Sequence, residues 1–291
     1  MGEFYLCRNS EKESVKIDLM KLPSWVTTKV GYQFETGSGG LPQNYENAMR
    51  CYRVAENRND ATAVNNIGWA YLNGNGVPQN VILAAKKFLK AADAGSTLAM
   101  VNLGNIYEGN EDYEPAYYWY FKATEGKNPK GAFNCANMIF HGWGVEQDYQ
   151  FAYEIFKRLY DAGYYDGTCF YLGLYAENDW LDEADYDLAK AYYEKGIEET
   201  EDPYCFTNLG RMYALGLGVT RNLEKAYDFY KNAGNLGDAL GYTNLAWMYE
   251  TGTYVGKNLR EALRLYRIAS DMGDGKADLA LIRLKNKNEI K

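Results

Sequence analysis

Histidine is nearly absent from the sequence and long hydrophobic runs are missing, and each absence excludes a class of function. His141 is the single histidine among 291 residues, which excludes most histidine-based metal sites and acid–base schemes. Lys and Arg number 31 against 39 Asp and Glu, a formal net charge of −8, whereas nucleic-acid binding needs a basic face. No apolar run approaches 18 residues, so no membrane-spanning helix is predicted. We therefore expect no metal, no cofactor, no nucleic acid and no membrane partner.

Cysteines form no CxxC pair, and their odd number does not suit a closed disulfide framework. The first residues, MGEFYLCRNSEKES, contain no basic segment followed by an apolar one, so no signal peptide is predicted. Both observations favour a reducing, cytoplasmic setting, although export by a route without a signal peptide stays open. Small buried hydrophobes are the favoured interpretation of the thiols, with a catalytic thiol as the alternative. The five are Cys7, Cys51, Cys135, Cys169 and Cys205.

A hydrophobic residue followed by a small one recurs along the chain at a nearly constant spacing of 32 to 37 residues. The small residues are Gly31, Gly68, Gly104, Ala136, Gly173, Gly210, Ala246 and Ala280. After each of the first seven comes Asn or Asp, then a small residue four positions later and an aromatic residue eight positions later. The aromatic residues are Tyr52, Phe88, Tyr120, Phe156, Tyr193, Tyr230 and Tyr266. Seven matching registers predict a repeat protein.

Each repeat is interpreted as two helices, because the offsets within the second pattern place its members on one helical face. The Asn or Asp that opens this pattern is a good N-cap, and glycines such as Gly74 and Gly216 suit the end of the first helix. Glycine at most of the small positions indicates that a neighbouring helix crosses too closely for a side chain. In the third repeat four residues are missing between Tyr107 and Asp112, which predicts a shorter loop.

The combined pattern, LGxxYxxGxGV followed by Asp or Asn and then A-x-x-x-[YF]-x-x-A, resembles the Sel-one-like repeat, a relative of the tetratricopeptide repeat. The clearest copies begin at Ile67 and Leu209, and the resemblance covers about residues 24–286. It implies an all-α, right-handed α-solenoid of about seven helical hairpins, with the first helices on the concave face. The expected division is an N-terminal extension over 1–20, seven repeats over 21–274 and a C-terminal capping helix with its tail over 275–291.

Two features depart from the simplest repeat. The fifth repeat has Glu177, Asn178, Asp179 and Trp180 where the GxGV segment would stand. The Gly-x-Gly segments of other repeats follow a helix and not a strand, so turns are favoured over phosphate-binding loops. His141 has no partner in a recognisable catalytic motif, and we expect it to face solvent or Trp143.

Asparagine recurs two residues before the small position in five of the seven hairpins. Asn is unfavourable in the middle of a helix because its side chain competes for backbone hydrogen bonds. By resemblance to tetratricopeptide domains this row faces the groove, where an amide can bind the backbone of an extended peptide. The alternative is a structural bridge to the next helix. The row is Asn66, Asn102, Asn134, Asn208 and Asn244.

A second row, one residue after the small position, carries several large aromatics, which are typical binding anchors when exposed in a groove. Trp69 and Trp247 are expected to be exposed, whereas packing between repeats is favoured for the neighbouring Phe133 and Phe170. The row is Tyr32, Trp69, Asn105, Asn137, Leu174, Arg211 and Trp247.

Glutamate forms a third row, four residues after the small position: Glu35, Glu108, Glu177 and Glu250. A carboxylate near a helix C-terminus is disfavoured by about 0.3–1 kcal/mol, so an outward role is one interpretation and surface decoration is the other. The outward role predicts a partner rich in Lys and Arg.

The resemblance implies the binding of other proteins and no common catalytic residues, so no enzyme is predicted. The predicted function is a non-enzymatic scaffold or adaptor that holds a peptide or protein in the concave groove through the three rows. The alternative is a dedicated inhibitor or regulator that binds and occludes one enzyme.

Overall fold

The computed structural model describes residues 3–7, 14–181 and 183–286. The predicted extension and tail therefore fall partly outside the described residues. The extension contains two paired antiparallel strands, β1 (Glu3–Cys7) and β2 (Ser14–Asp18), with Glu3 opposite Asp18, and then a 3-10 turn over Leu19–Lys21.

All remaining regular structure in the described part of the chain is α-helical. The first-repeat helices are α1 (Ser24–Thr36) and α2 (Tyr45–Glu56). The helices that follow are α3 (Ala61–Asn73), α4 (Val81–Asp93), α5 (Thr97–Gly109), α6 (Tyr113–Glu125), α7 (Pro129–His141), α8 (Tyr149–Asp161), α9 (Thr168–Glu177), α10 (Tyr186–Thr200), α11 (Pro203–Leu215), α12 (Leu223–Asn235), α13 (Ala239–Thr251), α14 (Leu259–Asp271) and α15 (Gly275–Asn286). The predicted fold class is confirmed: the repeats form an all-α solenoid of helical hairpins.

The helices fall into two compact units, Met1–Gln147 and Asp148–Lys291. In the first unit, α1 packs on α2, α3 on α4 and α5 on α6, and α7 follows against α6. In the second unit, α9 pairs with α10, α11 with α12 and α13 with α14, while α8 packs on α9 and α15 on α14. First helices of successive repeats also contact each other. In the first unit α1 contacts α3, and in the second unit α11 contacts α13.

The predicted helix ends follow from local chemistry. Six of the seven predicted N-caps accept a hydrogen bond from the backbone N–H three residues later, as Asn80 does from Leu83 at 2.9 Å. Asp112 does not cap with its side chain. It follows the shortened loop, where Glu111 takes a φ of 62°, and its own backbone is less extended than that of the other caps. The C-terminal glycine of α3, Gly74, has a φ of 76°, a value that suits glycine.

An aromatic ring, and not the backbone of a neighbouring helix, explains the glycines at the small positions. A Cβ atom added to Gly104 would lie 2.3 Å from the Tyr120 ring, and one added to Gly68 would lie 2.5 Å from Phe88. The ring of each second helix is fully or almost fully buried. The close approach predicted from the sequence therefore occurs at these glycines. The atoms that leave no room for a Cβ, however, belong to the aromatic side chain of the second helix.

Burial accounts for the cysteines whose surroundings the structure describes. Cys51, Cys135, Cys169 and Cys205 are free and buried. Burial raises the pKa of the Cys51 and Cys169 thiols to about 12 and that of Cys135 to about 11. At neutral pH these groups are protonated and thus poor nucleophiles, as expected of small core residues.

Candidate protein-interaction site

The glutamate row is tied to the buried tyrosines of the second helices. In three repeats the tyrosine hydroxyl donates a hydrogen bond to the glutamate carboxylate of the same repeat. The pairs are Tyr52 with Glu35 and Tyr120 with Glu108, each at 2.5 Å, and Tyr266 with Glu250 at 2.9 Å. In these three repeats the carboxylate therefore makes an inward contact, which accounts for its recurrence near a helix C-terminus.

The repeats whose buried aromatic residue lacks a hydroxyl also lack the glutamate. The second repeat has Phe88 and carries Leu72 in the glutamate register, and the fourth repeat has Phe156 and carries Phe140. A carboxylate is therefore present only where a buried phenol needs an acceptor. The sequence alone contains this correlation, which emerges when the two registers are compared repeat by repeat.

Two of the four glutamates are also neutralised by arginine. Arg211 pairs with Glu177, and Arg283 pairs with Glu250 at 2.6 Å. Burial raises the pKa of Glu177 against the opposing effect of Arg211. Arg211, which the sequence placed in the groove, is thus engaged by Glu177. Burial and then the charge of Glu177 raise the pKa of the Tyr193 hydroxyl in the same repeat.

Glu35 and Glu108 differ from this pair. Both side chains are half-buried, and neither forms an ion pair within residues 14–181 and 183–286. Their carboxylates keep a net negative charge at the surface of α1 and α5.

Most of the asparagine row is engaged within the protein. Asn102 is buried and its amide donates to Asn65 Oδ1 at 2.9 Å, which bridges α5 to α3. Burial raises the pKa of the Tyr52 and Tyr120 hydroxyls, and hydrogen bonds with Asn66 and Asn134 of the following repeats act in the opposite direction. Asn208 donates to the Tyr204 carbonyl of its own helix at 2.9 Å. For these four residues the contacts favour the structural alternative.

Asn244 is the exception in that row, because it makes no hydrogen bond within the described part of the chain. It is half-buried on α13.

The aromatic row is the part of the candidate site that remains open to solvent. Tyr32 is 55% exposed, Trp69 38% and Trp247 50%, so the expected exposure of the two tryptophans is confirmed. Asn105 is exposed, and its Oδ1 lies 2.8 Å from the Tyr120 hydroxyl oxygen, whereas Asn137 and Leu174 are half-buried. Phe133 and Phe170 are half-buried as expected, and the Phe170 ring lies 5.3 Å from that of Tyr204 in the next first helix.

A second set of bridges between repeats was missed from the sequence. Thr207 donates to Asp238, Thr243 to Asp274, and Asn128 to Thr97 at 3.1 Å. Each of these three pairs is separated by 31 residues. The shared spacing could have indicated a contact between repeats. The residue types differ from pair to pair, however, so no repeated motif is visible in the sequence.

Packing and turn geometry account for His141 and for the Gly-x-Gly segments, which were the other candidates for a catalytic or phosphate-binding site. His141 lies on Trp143 with ring centroids 4.4 Å apart, and burial lowers its pKa. Gly76 and Gly144 take positive φ values and approach the backbone of Tyr45 and Tyr113, as turn residues do. Within the described residues no group of His, Cys, Asp or Glu is arranged to hold a metal ion, and no helix is both long and apolar enough to cross a membrane.

The Sel1 repeat profile matches seven successive segments of the chain: residues 28–60, 61–96, 97–128, 129–164, 167–200, 207–238 and 239–274. The chain belongs to the Sel1 repeat family. Sel1 repeat proteins are generally non-catalytic scaffolds that bind proteins or peptides.

Solved structures of Sel1 repeat proteins share the fold. A Sel1 repeat protein from Oxalobacter formigenes is 27% identical, with a TM-score of 0.72, over 84% of this chain and 99% of that one. A protective antigen of uropathogenic Escherichia coli with an SLR fold is 25% identical, with a TM-score of 0.67, over 91% of this chain. The match covers 57% of the antigen, so this Sel1 repeat chain spans little more than half of its length. A putative Sel1 repeat protein from Klebsiella pneumoniae has a TM-score of 0.50 at 19% identity over 69% of this chain and 99% of that one, which shows the fold alone.

Proposed function

We propose that this Sel1 repeat protein is a non-enzymatic interaction scaffold that binds a basic peptide or protein segment on the first helices of its N-terminal unit. The observation that carries the proposal is the exposure of Tyr32 and Trp69, together with the Glu35 and Glu108 carboxylates, which form no ion pair within the described residues.

Helix geometry brings the aromatic and acidic groups of α1, and the amide and acidic groups of α5, onto neighbouring surface positions. Tyr32 and Glu35 are three residues apart on α1, and Asn105 and Glu108 are three apart on α5, so each pair lies on neighbouring surface positions. Trp69 stands in the same register on α3, between those helices in sequence. Aromatic faces and carboxylates both attract ammonium and guanidinium groups. This combination favours Lys and Arg side chains, in keeping with the net charge of −8.

A peptide selection tests the proposal and does not require the partner to be identified first. A phage-displayed random peptide library is selected on the immobilised full chain, and the enriched peptides are synthesised and measured by titration calorimetry. We expect Lys- and Arg-rich peptides whose association weakens as salt rises, because opposite charges steer the encounter.

Variants locate the binding surface. Trp69→Ala and Tyr32→Ala should weaken binding by tenfold or more, the range typical of aromatic anchors, and Glu35→Gln with Glu108→Gln should reduce the salt dependence. The matched control is Tyr118→Ala, which removes an aromatic residue of similar exposure from the second helix α6. Enriched peptides without basic residues, or equal binding by Trp69→Ala and Tyr118→Ala, would overturn the proposal.

A further inference from the structure

The sixth repeat, α11 with α12, differs from the first repeat at two positions that contact one another. Ala214 stands in the register that holds Glu35, Glu108, Glu177 and Glu250 elsewhere, although this repeat keeps the tyrosine, Tyr230. The residue just before the N-cap of the second helix is Arg221, where the first, second and fourth repeats have glutamine.

Arg221 makes the backbone contact that the glutamines make. Gln43 donates to the Glu35 carbonyl at 2.9 Å and Gln79 to the Leu72 carbonyl at 2.8 Å, and Arg221 Nε donates to the Ala214 carbonyl at 3.0 Å. Arg221 forms no ion pair in the described chain. Compared with the first repeat, the sixth repeat has neutral Ala214 in place of Glu35 and cationic Arg221 in place of neutral Gln43. One negative charge is therefore lost and one positive charge is gained at the same place.

Tyr230 occupies the same position as the other buried tyrosines but lacks their acceptor. Its ring lies against Gly210, where an added Cβ would approach to 2.8 Å, as the Tyr52 ring lies against Gly31. Tyr230 is only 6% exposed, yet its hydroxyl has no hydrogen-bond partner among residues 14–181 and 183–286. The hydroxyl oxygen is not among the fully buried unpartnered atoms of the described residues, so it is open to a ligand or to water.

A cavity of about 110 Å³ lies where the glutamate is missing. Ala214, Tyr230 and Asn244 line it together with the half-exposed Trp247, and Arg221 lies at its edge in the exposed loop. The volume is sufficient for a few water molecules or a short acidic side chain. The phenol, the Asn244 amide and the Arg221 guanidinium therefore belong to residues that line one cavity.

We propose that this cavity binds a carboxylate supplied by another molecule, in the place that each repeat with a glutamate fills from its own chain. The tyrosine hydroxyl donates to it as Tyr266 does to Glu250, the Arg221 guanidinium neutralises it as Arg283 does Glu250, and Trp247 covers its aliphatic stem. If the chain is an interaction scaffold, as proposed above, the group is an acidic residue of the partner, and the cavity can be tested without that partner.

The test uses the full chain labelled with ¹⁵N and three small probes. N-acetyl-glutamate N-methylamide represents an internal acidic residue, N-acetyl-alanine represents a chain end, and N-acetyl-glutamine N-methylamide is the isosteric neutral control. We expect saturable shifts of the Trp247 indole and Asn244 side-chain signals with a carboxylate probe and none with the neutral one. The carboxylate probe that binds with the lower Kd shows whether the group comes from an internal acidic residue or from the chain end of a partner.

Two variants make the result decisive. Ala214→Glu restores the arrangement of the first and third repeats and should abolish binding while it preserves or raises the melting temperature. Tyr230→Phe removes one donor and should raise the Kd about tenfold, the loss expected for a hydrogen bond to a charged group. Equal shifts from the neutral probe, unchanged binding by Ala214→Glu, or no saturable shift at millimolar probe would each overturn the proposal. None of these outcomes bears on peptide binding at Trp69, so the two proposals fail separately.

Discussion

The Tyr120 hydroxyl donates a 2.5 Å hydrogen bond to Glu108, the carboxylate of the first helix in the same repeat. The bond joins the two helices of the hairpin at their most buried aromatic residue. Burial and the neighbouring carboxylate both raise the pKa of Tyr120, so the phenol stays protonated and remains a donor throughout the accessible pH range.

Exchanging this pair for the apolar pair of the second repeat should be tolerated, whereas breaking it should not. Glu108→Leu removes the main acceptor of a buried hydroxyl and should cost about 1–3 kcal/mol. Adding Tyr120→Phe recreates the Leu72 and Phe88 combination, and the double variant should recover part of that loss. Urea unfolding of the four proteins gives a coupling energy, expected between about 0.5 and 3 kcal/mol. Strictly additive effects would show that the two side chains are independent.

Crowding at Gly104 should make the site far less tolerant than another glycine of the same helix. A Cβ added there would lie 2.3 Å from the Tyr120 ring, whereas one added to Gly109 meets nothing within 4 Å. Gly104→Leu should lower the free energy of unfolding by roughly 1–3 kcal/mol or more. Gly109→Ala should raise it by up to about 1 kcal/mol, since alanine is the better helix former. Equal melting temperatures for the two variants would contradict the ring-contact explanation.

Periodicity allowed the fold to be predicted from the sequence, because every helix pair repeats the same pattern of buried positions. The cap at Asn80 and the left-handed glycine at Gly74 follow from local rules that need no tertiary information. The two strands of the extension were not predicted, since they lie outside the repeating pattern. The missing cap at Asp112 results from the shortened loop before it, whose geometry the residue type does not reveal.

The candidate site was harder to predict because position along a helix does not reveal what a polar side chain contacts. Asn102 and Glu108 occupy registers that a groove would use, yet both hydrogen-bond inside the protein. The exposure of Trp69 was predicted correctly because a large aromatic residue one position from the buried row cannot be fully covered by its own hairpin. The cavity beside Tyr230 lies where Ala214 replaces the glutamate of other repeats. This replacement could not be interpreted from the sequence until the contact between the tyrosine and the glutamate was known.

The bridge between Asn65 and Asn102 should contribute to stability. Asn102→Ala leaves the Asn65 oxygen buried without its donor, and we expect a loss of about 1–3 kcal/mol in the free energy of unfolding. The matched control is Asn208→Ala, whose amide contacts only its own helix at an exposed hydrogen bond and should cost less than about 0.5 kcal/mol. Chemical denaturation measures both. If Asn102→Ala were as stable as the control, the asparagine row would be free to serve a ligand.

Asp238 should make the protein less stable as the pH rises through the acidic range. This buried N-cap of α13 accepts from the Leu240 N–H at 3.0 Å and from the Thr207 hydroxyl, and burial raises its pKa above the ordinary aspartate value. The folded state then binds the proton more tightly than the unfolded chain, so this contribution is fully present below the unfolded pKa of about 4. It is lost as the pH rises through the raised value in the folded state.

Asp238→Asn isolates that effect, because asparagine is an equally good N-cap and carries no charge. The difference in unfolding free energy between the variant and the wild type should shift in favour of the variant as the pH increases from about 4 to about 7. Urea titrations across that interval measure it. Asp185→Asn is the control, since Asp185 caps α10 from an exposed position. A difference for Asp238→Asn that stays constant with pH, or that moves towards the wild type, would mean that the carboxylate is ionised and stabilising in the folded protein.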